Sequence, residues 1–196
     1  MRRSDLVLGI TAVALLAAAT LGVFRFEAAE GGGSSFRVTY ATREADGPGA
    51  EATLGAGQSA SKTFAVATQN VTDARFTLSW TDEGGGDPHQ FRFTITDPQG
   101  IARSAEGESG ALVVQFAGLA APPGDARMLA ASAAQAQARA AAQGASGAAV
   151  GTWRLDVTLV SAPGTRVGGV EVQPDGANAW RLASAFTVYE ARVTRG

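Results

Sequence analysis

Residues 74–96 read ARFTLSWTDEGGGDPHQFRFTIT and contain two runs in which apolar and polar side chains alternate. Every second residue of each run is large and apolar: Phe76, Leu78 and Trp80, then Phe91, Phe93 and Ile95. A period of two places these side chains on one face of an extended chain. The stretch therefore predicts two β-strands, each with one buried face, joined by the polar, glycine-containing loop between them.

The same alternation returns along most of the chain. It occupies residues 36–40, 62–66, 112–116, 153–159 and 180–193, the last as one long strand or two. Roughly seven or eight strands with one apolar face each must bury those faces against one another. The pattern predicts an all-β fold, an antiparallel two-sheet sandwich. Trp80, Trp153 and Trp180 fall on apolar faces, so we expect them in the core rather than on a sugar-binding platform.

One segment departs from strand periodicity. Residues 125–143 read DARMLAASAAQAQARAAAQ, and alanine has the highest helix propensity. Asp125 can cap the first turn and Gly144 can end the last, so we predict a helical insertion over residues 125–144. Two roles stay open for it: a solvated decoration on the sandwich, or a docking surface, since small residues permit close helix contact.

The N-terminus carries an uncharged apolar run from Leu6 to Phe24. Nineteen helical residues span about 28 Å, close to the hydrocarbon thickness of a bilayer. We expect a transmembrane signal-anchor over residues 6–24, a cytosolic stub over 1–5, a linker over 25–35 and one extracytoplasmic domain over 36–196. Arg2 and Arg3 before the run favour the N-terminus inside. The alternative is a signal peptide cleaved near Ala17–Ala19, which would release the same domain.

Two further stretches carry a family resemblance. Phe76 to Gly100 ends in the turn sequence Asp97-Pro98-Gln99-Gly100, and Gly151-Thr152-Trp153 opens a later strand. Together they resemble the pre-peptidase C-terminal domains of secreted prokaryotic proteins and, more distantly, the P domains of proprotein convertases. The resemblance implies a jelly-roll-like sandwich that serves as a non-catalytic accessory or binding module. His89-Gln90 stands where these families often have another aspartate.

Candidate sites are few. Asp82, Glu83 and Asp87 lie in one loop, and carboxylate oxygens are ligands that calcium prefers, so calcium is the one cofactor that the sequence indicates. The alternative is a solvated acidic turn. Asn70-Val71-Thr72 is a glycosylation sequon if the host modifies its exported proteins.

Composition and motifs exclude several classes of function. The net charge is −2, with no basic surface for nucleic acid, and the chain has no cysteine for a disulfide or a thiolate zinc site. A catalytic triad would have to use His89, the single histidine, but Gly107-Glu108-Ser109-Gly110 is not a nucleophile elbow. We expect a membrane-anchored binding or structural module with a protein or glycan partner. An accessory subunit of a membrane complex and a surface hydrolase using His89 are the alternatives.

Overall fold

The computed structural model describes residues 33–81, 89–162, 165–167, 170–173 and 177–196. The strands are β1 (Ser34–Asp46), β2 (Ala50–Gly55), β3 (Ser59–Val66), β4 (Val71–Trp80), β5 (Gln90–Thr96), β6 (Ala102–Gly107), β7 (Ala111–Ala117), β8 (Ala126–Ala130), β9 (Gly151–Ser161), β10 (Thr165–Val167), β11 (Val170–Gln173) and β12 (Ala177–Arg195). One helix, α1 (Ala133–Gln143), lies between β8 and β9 in the described chain.

The predicted antiparallel all-β fold is confirmed. A six-stranded sheet has the order β7-β4-β12-β1-β8, with β2 also paired to β12, and a four-stranded sheet has the order β3-β9-β5-β6. Eight of these strands pair in a nested way: β2 with β12, β3 with β9, β4 with β7 and β5 with β6. The two strands of the opening stretch, β4 and β5, thus lie in different sheets. The 180–193 run belongs to one 19-residue strand.

The larger of two compact units comprises residues 40–124 and 141–191 and holds the sandwich core. Inward-facing side chains of both sheets form one hydrophobic cluster. Trp153 of β9 is fully buried, and its ring centroid lies 5.2 Å from that of Phe76 on β4. Trp80 and Trp180 are 8% and 2% exposed, so all three tryptophans lie in the core as expected. Burial of such aromatic faces supplies most of the favourable free energy of a fold without disulfides.

The smaller unit takes in the described residues 33–39, 125–140 and 192–196. Strand β1 pairs with β8 in an antiparallel register that sets Phe36 opposite Met128. Phe36 and Ala136 are buried together there, and Met128 and Val193 pack against them. This unit therefore has a small core of its own, built from a strand pair and the first part of α1.

The start of the predicted helix needs correction. Residues 126–130 form β8, and α1 begins only at Ala133. Asp125 does not cap α1; its carboxylate bonds the Arg37 guanidinium at 3.2 Å. Ser132 is the N-cap, accepting a hydrogen bond from the Gln135 backbone N–H at 3.2 Å. Pairing with β1 overrides the local helix propensity of residues 125–130. The predicted end is confirmed, since α1 stops at Gln143 before Gly144.

No helix among the described residues is long and apolar enough to cross a membrane. The predicted anchor at residues 6–24, the cytosolic stub and most of the linker lie outside the residues that the structure describes.

Candidate functional site

The sequence-predicted site residues have different outcomes. Asp82, Glu83 and Asp87 lie outside the described residues, so calcium binding stays a prediction. Within the described part of the chain, no three His, Asp or Glu side chains lie together as metal ligands. His89 is only 2% exposed and lies directly before β5. A general base must reach a substrate proton, so a side chain this buried is poorly placed for hydrolysis.

Asn70 is held by hydrogen bonds from its side chain and its backbone. It is a non-glycine residue with positive φ, 61°, directly before β4. Its side-chain oxygen accepts a hydrogen bond from the Ser146 N–H at 2.8 Å, and its own N–H donates to the Ser146 carbonyl at 2.8 Å. The Asn70 carbonyl accepts from the Tyr189 N–H at 3.1 Å. Asn70 thus fastens the segment after α1 to β12, and glycosylation at the sequon remains untested.

The two segments that carry the family resemblance meet in space. The turn closes through the Gly100 N–H and the Asp97 carbonyl at 3.0 Å, as predicted from its sequence. The Asp97 side chain, 3% exposed, accepts hydrogen bonds from the N–H groups of Gln99 and Ile101. Pro98 lies against Gly151, where a Cβ atom would come within 2.8 Å of the proline Cβ. This contact joins the start of β9 to the end of β5.

A second connection reinforces that junction. The Gln99 amide donates to the Ala148 carbonyl at 2.6 Å, and the Trp153 indole N–H donates to the Ala149 carbonyl at 2.9 Å. Residues 144–151 are therefore held by side chains of the turn after β5, of β9 and of β12, the last being the Tyr189 hydroxyl, which donates to the Gly144 carbonyl at 2.7 Å. Burial raises the pKa of the Tyr189 phenol above its ordinary value. The cluster has the character of a structural junction.

A depression opens beside the outward face of the larger sheet, where β12 runs between β2 and β4. It has a volume of about 490 Å³, and its lining residues are Glu51, Ala52, Thr53, Ser79, Trp80, Thr81, Ala179, Trp180 and Arg181. A neighbouring depression of about 440 Å³ shares Glu51 and Arg181 with the first and continues toward Asp46 and Ser184. Each volume lies in the range typical of small-molecule sites, about 300–1,000 Å³. We call the two depressions together the β12 depression.

Sheet register explains why these residues meet. On β12, Arg181 pairs with Glu51 of β2 on one side and with Ser79 of β4 on the other. The neighbours of Arg181 on the same strand face are Ala179 and Ala183, whose short side chains leave space beside the guanidinium. Both alanines and Arg181 are exposed. Small residues flanking one long cation thus produce a depression with a charge at its centre.

The electrostatics of the β12 depression are uneven. Arg181 forms no ion pair with any residue that the structure describes. Lys62, the only lysine of the chain, donates from Nζ to the Glu51 backbone carbonyl at 2.6 Å and lies 5.9 Å from the Trp180 ring centroid. The Ser79 hydroxyl donates to the Arg181 carbonyl at 3.3 Å. Lys62 does not line the depression, because it lies over the core-facing ring of Trp180. Among the described lining residues, Arg181 is the cation and Glu51 and Asp46 are the carboxylates.

The outward face of the four-stranded sheet is also polar, but its groups are paired with one another. The Ser59 hydroxyl lies 2.8 Å from that of Thr158, and Arg92 bonds Glu106 at 2.5 Å. Hydrogen bonding to Glu106 raises the pKa of Arg92 above its ordinary value. Side chains that already bond each other offer few free groups to a ligand, so this face is a weaker candidate than the β12 depression.

Sequence reasoning missed the β12 depression because its residues are far apart in the chain. Glu51 and Arg181 are separated by 130 positions, and only the pairing of β2 with β12 brings them together. Strand β2 itself, AEATLG, has no strong alternation. The one available signal was the sequence of β12, where Ala179-x-Arg181-x-Ala183 lies on the polar face of a long strand.

Comparison with known proteins gives only distant similarities. No protein-family model matches the chain, and no curated protein matches it. A structure of the Aeromonas sobria serine protease with the chaperone ORF2 is similar at a TM-score of 0.34 and 16% identity, over 76% of this chain and 27% of that chain. Tripeptidyl peptidase 2 is similar at a TM-score of 0.35 and 10% identity, over 74% of this chain and 10% of that chain. FlhE is similar at a TM-score of 0.31 and 14% identity, over 78% of this chain and 96% of that chain.

The chain thus spans about a quarter and a tenth of the first two of these chains. TM-scores at this level are too low for the similarities to carry a functional argument.

Proposed function

We propose that this protein is a membrane-anchored, extracytoplasmic binding module without catalytic activity, and that it binds its partner at the β12 depression. The observation that carries the proposal is Arg181, an exposed guanidinium with no ion pair in the described chain, central to a surface lined by Glu51, Ser79 and Thr53. Convergent polar groups around an open concavity are typical of ligand sites.

The burial of His89 supports the non-catalytic part of the proposal. The hydrolase alternative depends on that side chain, because the chain has no other histidine. At 2% exposure its imidazole is enclosed by protein. A general base must come within hydrogen-bond reach of the proton that it abstracts, and this burial opposes such contact.

The finer fold that we infer is a jelly roll, as the resemblance to pre-peptidase C-terminal domains implies. It is supported by the nested pairing of eight strands, in which the first pairs with the last and the fourth with the fifth. The contact between Pro98 and Gly151 supports the same inference, because it unites the two segments on which the resemblance rests. Such a fold serves many functions, so the site and not the fold carries the functional proposal.

The experiment is site-specific photocrosslinking in native membranes. A photoreactive amino acid replaces Ser79, which lines the β12 depression, or Thr63, which is exposed on β3 of the other sheet. We expect a crosslinked product from position 79 and none from position 63. The same product should be lost when Arg181→Gln is added to the position-79 protein. A product of equal yield from both positions, or one that survives Arg181→Gln, contradicts the proposal.

A further inference from the structure

We propose that two copies of this protein form a dimer by pairing their β7 strands (Ala111–Ala117) antiparallel across a two-fold axis. The larger sheet then continues from one copy into the other. This inference does not depend on the proposed function, because no residue of β7 lines the β12 depression. Three observations carry it: the free edge of β7, the sequence of the strand, and two charges beside it.

One edge of β7 has no strand beside it in the described chain. Strand β7 ends the larger sheet, with β4 as its neighbour. The Trp80 N–H of β4 donates to the carbonyl of Gly110, the residue directly before β7. Backbone groups of an antiparallel strand alternate between its two sides, so the even-numbered residues of β7 bond β4. The N–H and C=O groups of Val113 and Gln115 therefore point to the free edge.

The sequence of β7 suits pairing with another strand. It reads ALVVQFA, without charge, proline or glycine, and Val113 near its middle is 43% exposed. Native proteins usually block a free edge with charged side chains, and an edge without them can accept another strand. The other strands at the edges of the six-stranded and four-stranded sheets each contain a charged residue: Glu51 in β2, Lys62 in β3, Arg103 and Glu106 in β6, and Arg127 in β8.

Strand β7 is complementary to itself. When Val114 lies on the two-fold axis, Val113 faces Gln115 of the second copy, and Leu112 faces its Phe116. The buried side chains of β7 then meet apolar partners, and no facing pair within the strand carries a charge. Val113 and Gln115 form a hydrogen-bonded pair that uses their free backbone groups, while both side chains stay on the open face of the sheet. A second copy of the chain is therefore the occupant that fits this edge.

Two charges beside β7 complete the match. Arg103 lies 5.2 Å from the Phe116 ring centroid, and a Cβ atom at Gly107 would come within 3.1 Å of the Leu112 side chain. Because Phe116 faces Leu112 across the axis, Arg103 of one copy comes beside Gly107 of the other, next to Glu108. Neither Arg103 nor Glu108 forms an ion pair within the described chain. The two-fold axis thus brings opposite charges together twice.

The first test measures the mass of the full chain, released from detergent micelles, by native mass spectrometry. We expect the wild type to be a dimer and Val113→Pro to be a monomer. Proline removes an N–H that points to the free edge, so β7 should keep its pairing with β4. Val113→Thr keeps that N–H and is the matched control, which should stay dimeric. A monomeric wild type, or a folded Val113→Pro protein that stays dimeric, overturns the inference.

Charge reversal tests the same axis without proline. Arg103→Glu should weaken dimerisation about tenfold, because it places like charges beside each other at both ends of the interface. Glu108→Arg should do the same, and the combination of the two changes should restore the dimer. A combined variant that dimerises no better than either single variant overturns the proposed axis.

Disulfide trapping tests the register, since the chain has no cysteine of its own. Val113→Cys and Gln115→Cys chains with different tags are produced in the same cells and then oxidised. Facing residues of a hydrogen-bonded pair lie about 5.5 Å apart at Cα, within reach of a disulfide, whereas identical positions lie diagonally at about 7–8 Å. We expect disulfides between the two different chains. Trapping between identical chains at an equal or higher yield overturns the register.

Discussion

Gly151 and Gly100 show how one residue type serves two purposes in this fold. Both have positive φ angles, 143° and 85°. A Cβ atom at position 100 would meet nothing within 4 Å, whereas one at position 151 would lie 2.8 Å from Pro98. Only Gly151 therefore combines backbone strain with close packing, at the contact between the turn after β5 and the start of β9.

These two glycines form a matched pair for mutation. Gly100→Ala should cost about 1 kcal/mol of unfolding free energy, from the backbone conformation alone. Gly151→Ala should cost about 3 kcal/mol or more, because the added methyl group must also displace Pro98. Urea denaturation of both variants measures the difference. Equal losses would show that the turn does not lie against Gly151.

Asn70 separates a backbone preference from a side-chain hydrogen bond. Asn70→Ala should lower the unfolding free energy by about 2 kcal/mol, because alanine tolerates positive φ poorly and cannot accept from Ser146. Asn70→Asp keeps an acceptor oxygen and a residue type that tolerates this conformation, so its effect should stay within about 0.5 kcal/mol. Thermal and urea unfolding measure both. A similar loss in the two variants would contradict the role assigned to the side chain.

The surroundings of Asp156 predict that the stability of the fold depends on pH in the acid range. Burial alone would raise the pKa of Asp156, but hydrogen bonds from Ser61 and Arg154 and the charge of Arg154 outweigh it and hold the pKa below the ordinary value. A lowered folded-state pKa means that the carboxylate stabilises the fold above the unfolded pKa, about 3.9, and loses this effect as pH falls below it.

Ser61→Ala tests this effect. The variant should lose less stability than the wild type when the pH is lowered from 5 to 3, as followed by urea unfolding at each pH. Ser104→Ala is the control, since the Ser104 hydroxyl contacts Thr94 and no carboxylate. If Ser61→Ala shows the same acid sensitivity as the wild type, hydrogen bonding does not lower the pKa of Asp156.

At the scale of elements, predictability followed the strength of the local pattern. Strands β4, β5 and β9 were predicted because large apolar residues alternate in them without interruption. Strands β2 and β6, AEATLG and ARSAEG, were missed because small and polar residues hide the alternation. Strand β8 was taken for helix because its propensities are helical and only pairing with β1 makes it extended. Pairing between strands that are far apart in the chain cannot be inferred from the sequence of one short segment.

The N-cap of α1 gives the test at this scale. Ser132→Ala should cost about 1 kcal/mol and speed hydrogen exchange in the first turn of α1, because it removes the acceptor for the Gln135 N–H. Ser132→Asp supplies another acceptor and should keep the wild-type exchange rates. Faster exchange in both variants, or in neither, would contradict the assignment of Ser132 as the N-cap.

At the scale of the whole molecule, the sandwich was predictable and the site was not. Core positions such as Phe76, Trp153 and Trp180 follow from periodicity alone, because one face of each strand must be apolar. The β12 depression depends on the register between β2, β12 and β4, which no local pattern records. The proposed function further requires that the domain with the larger sheet lies outside the cytoplasm. That requirement depends on the apolar run at residues 6–24.

Cysteine accessibility tests the extracytoplasmic location of the domain most directly, since the chain has no cysteine of its own. Gln115→Cys places one thiol at an exposed position of β7, and Ser4→Cys places one before the apolar run. In intact cells treated with a membrane-impermeant maleimide, we expect rapid labelling at position 115 and labelling at position 4 only after permeabilisation. Labelling of position 4 in intact cells, or protection of position 115, would contradict an extracytoplasmic binding module.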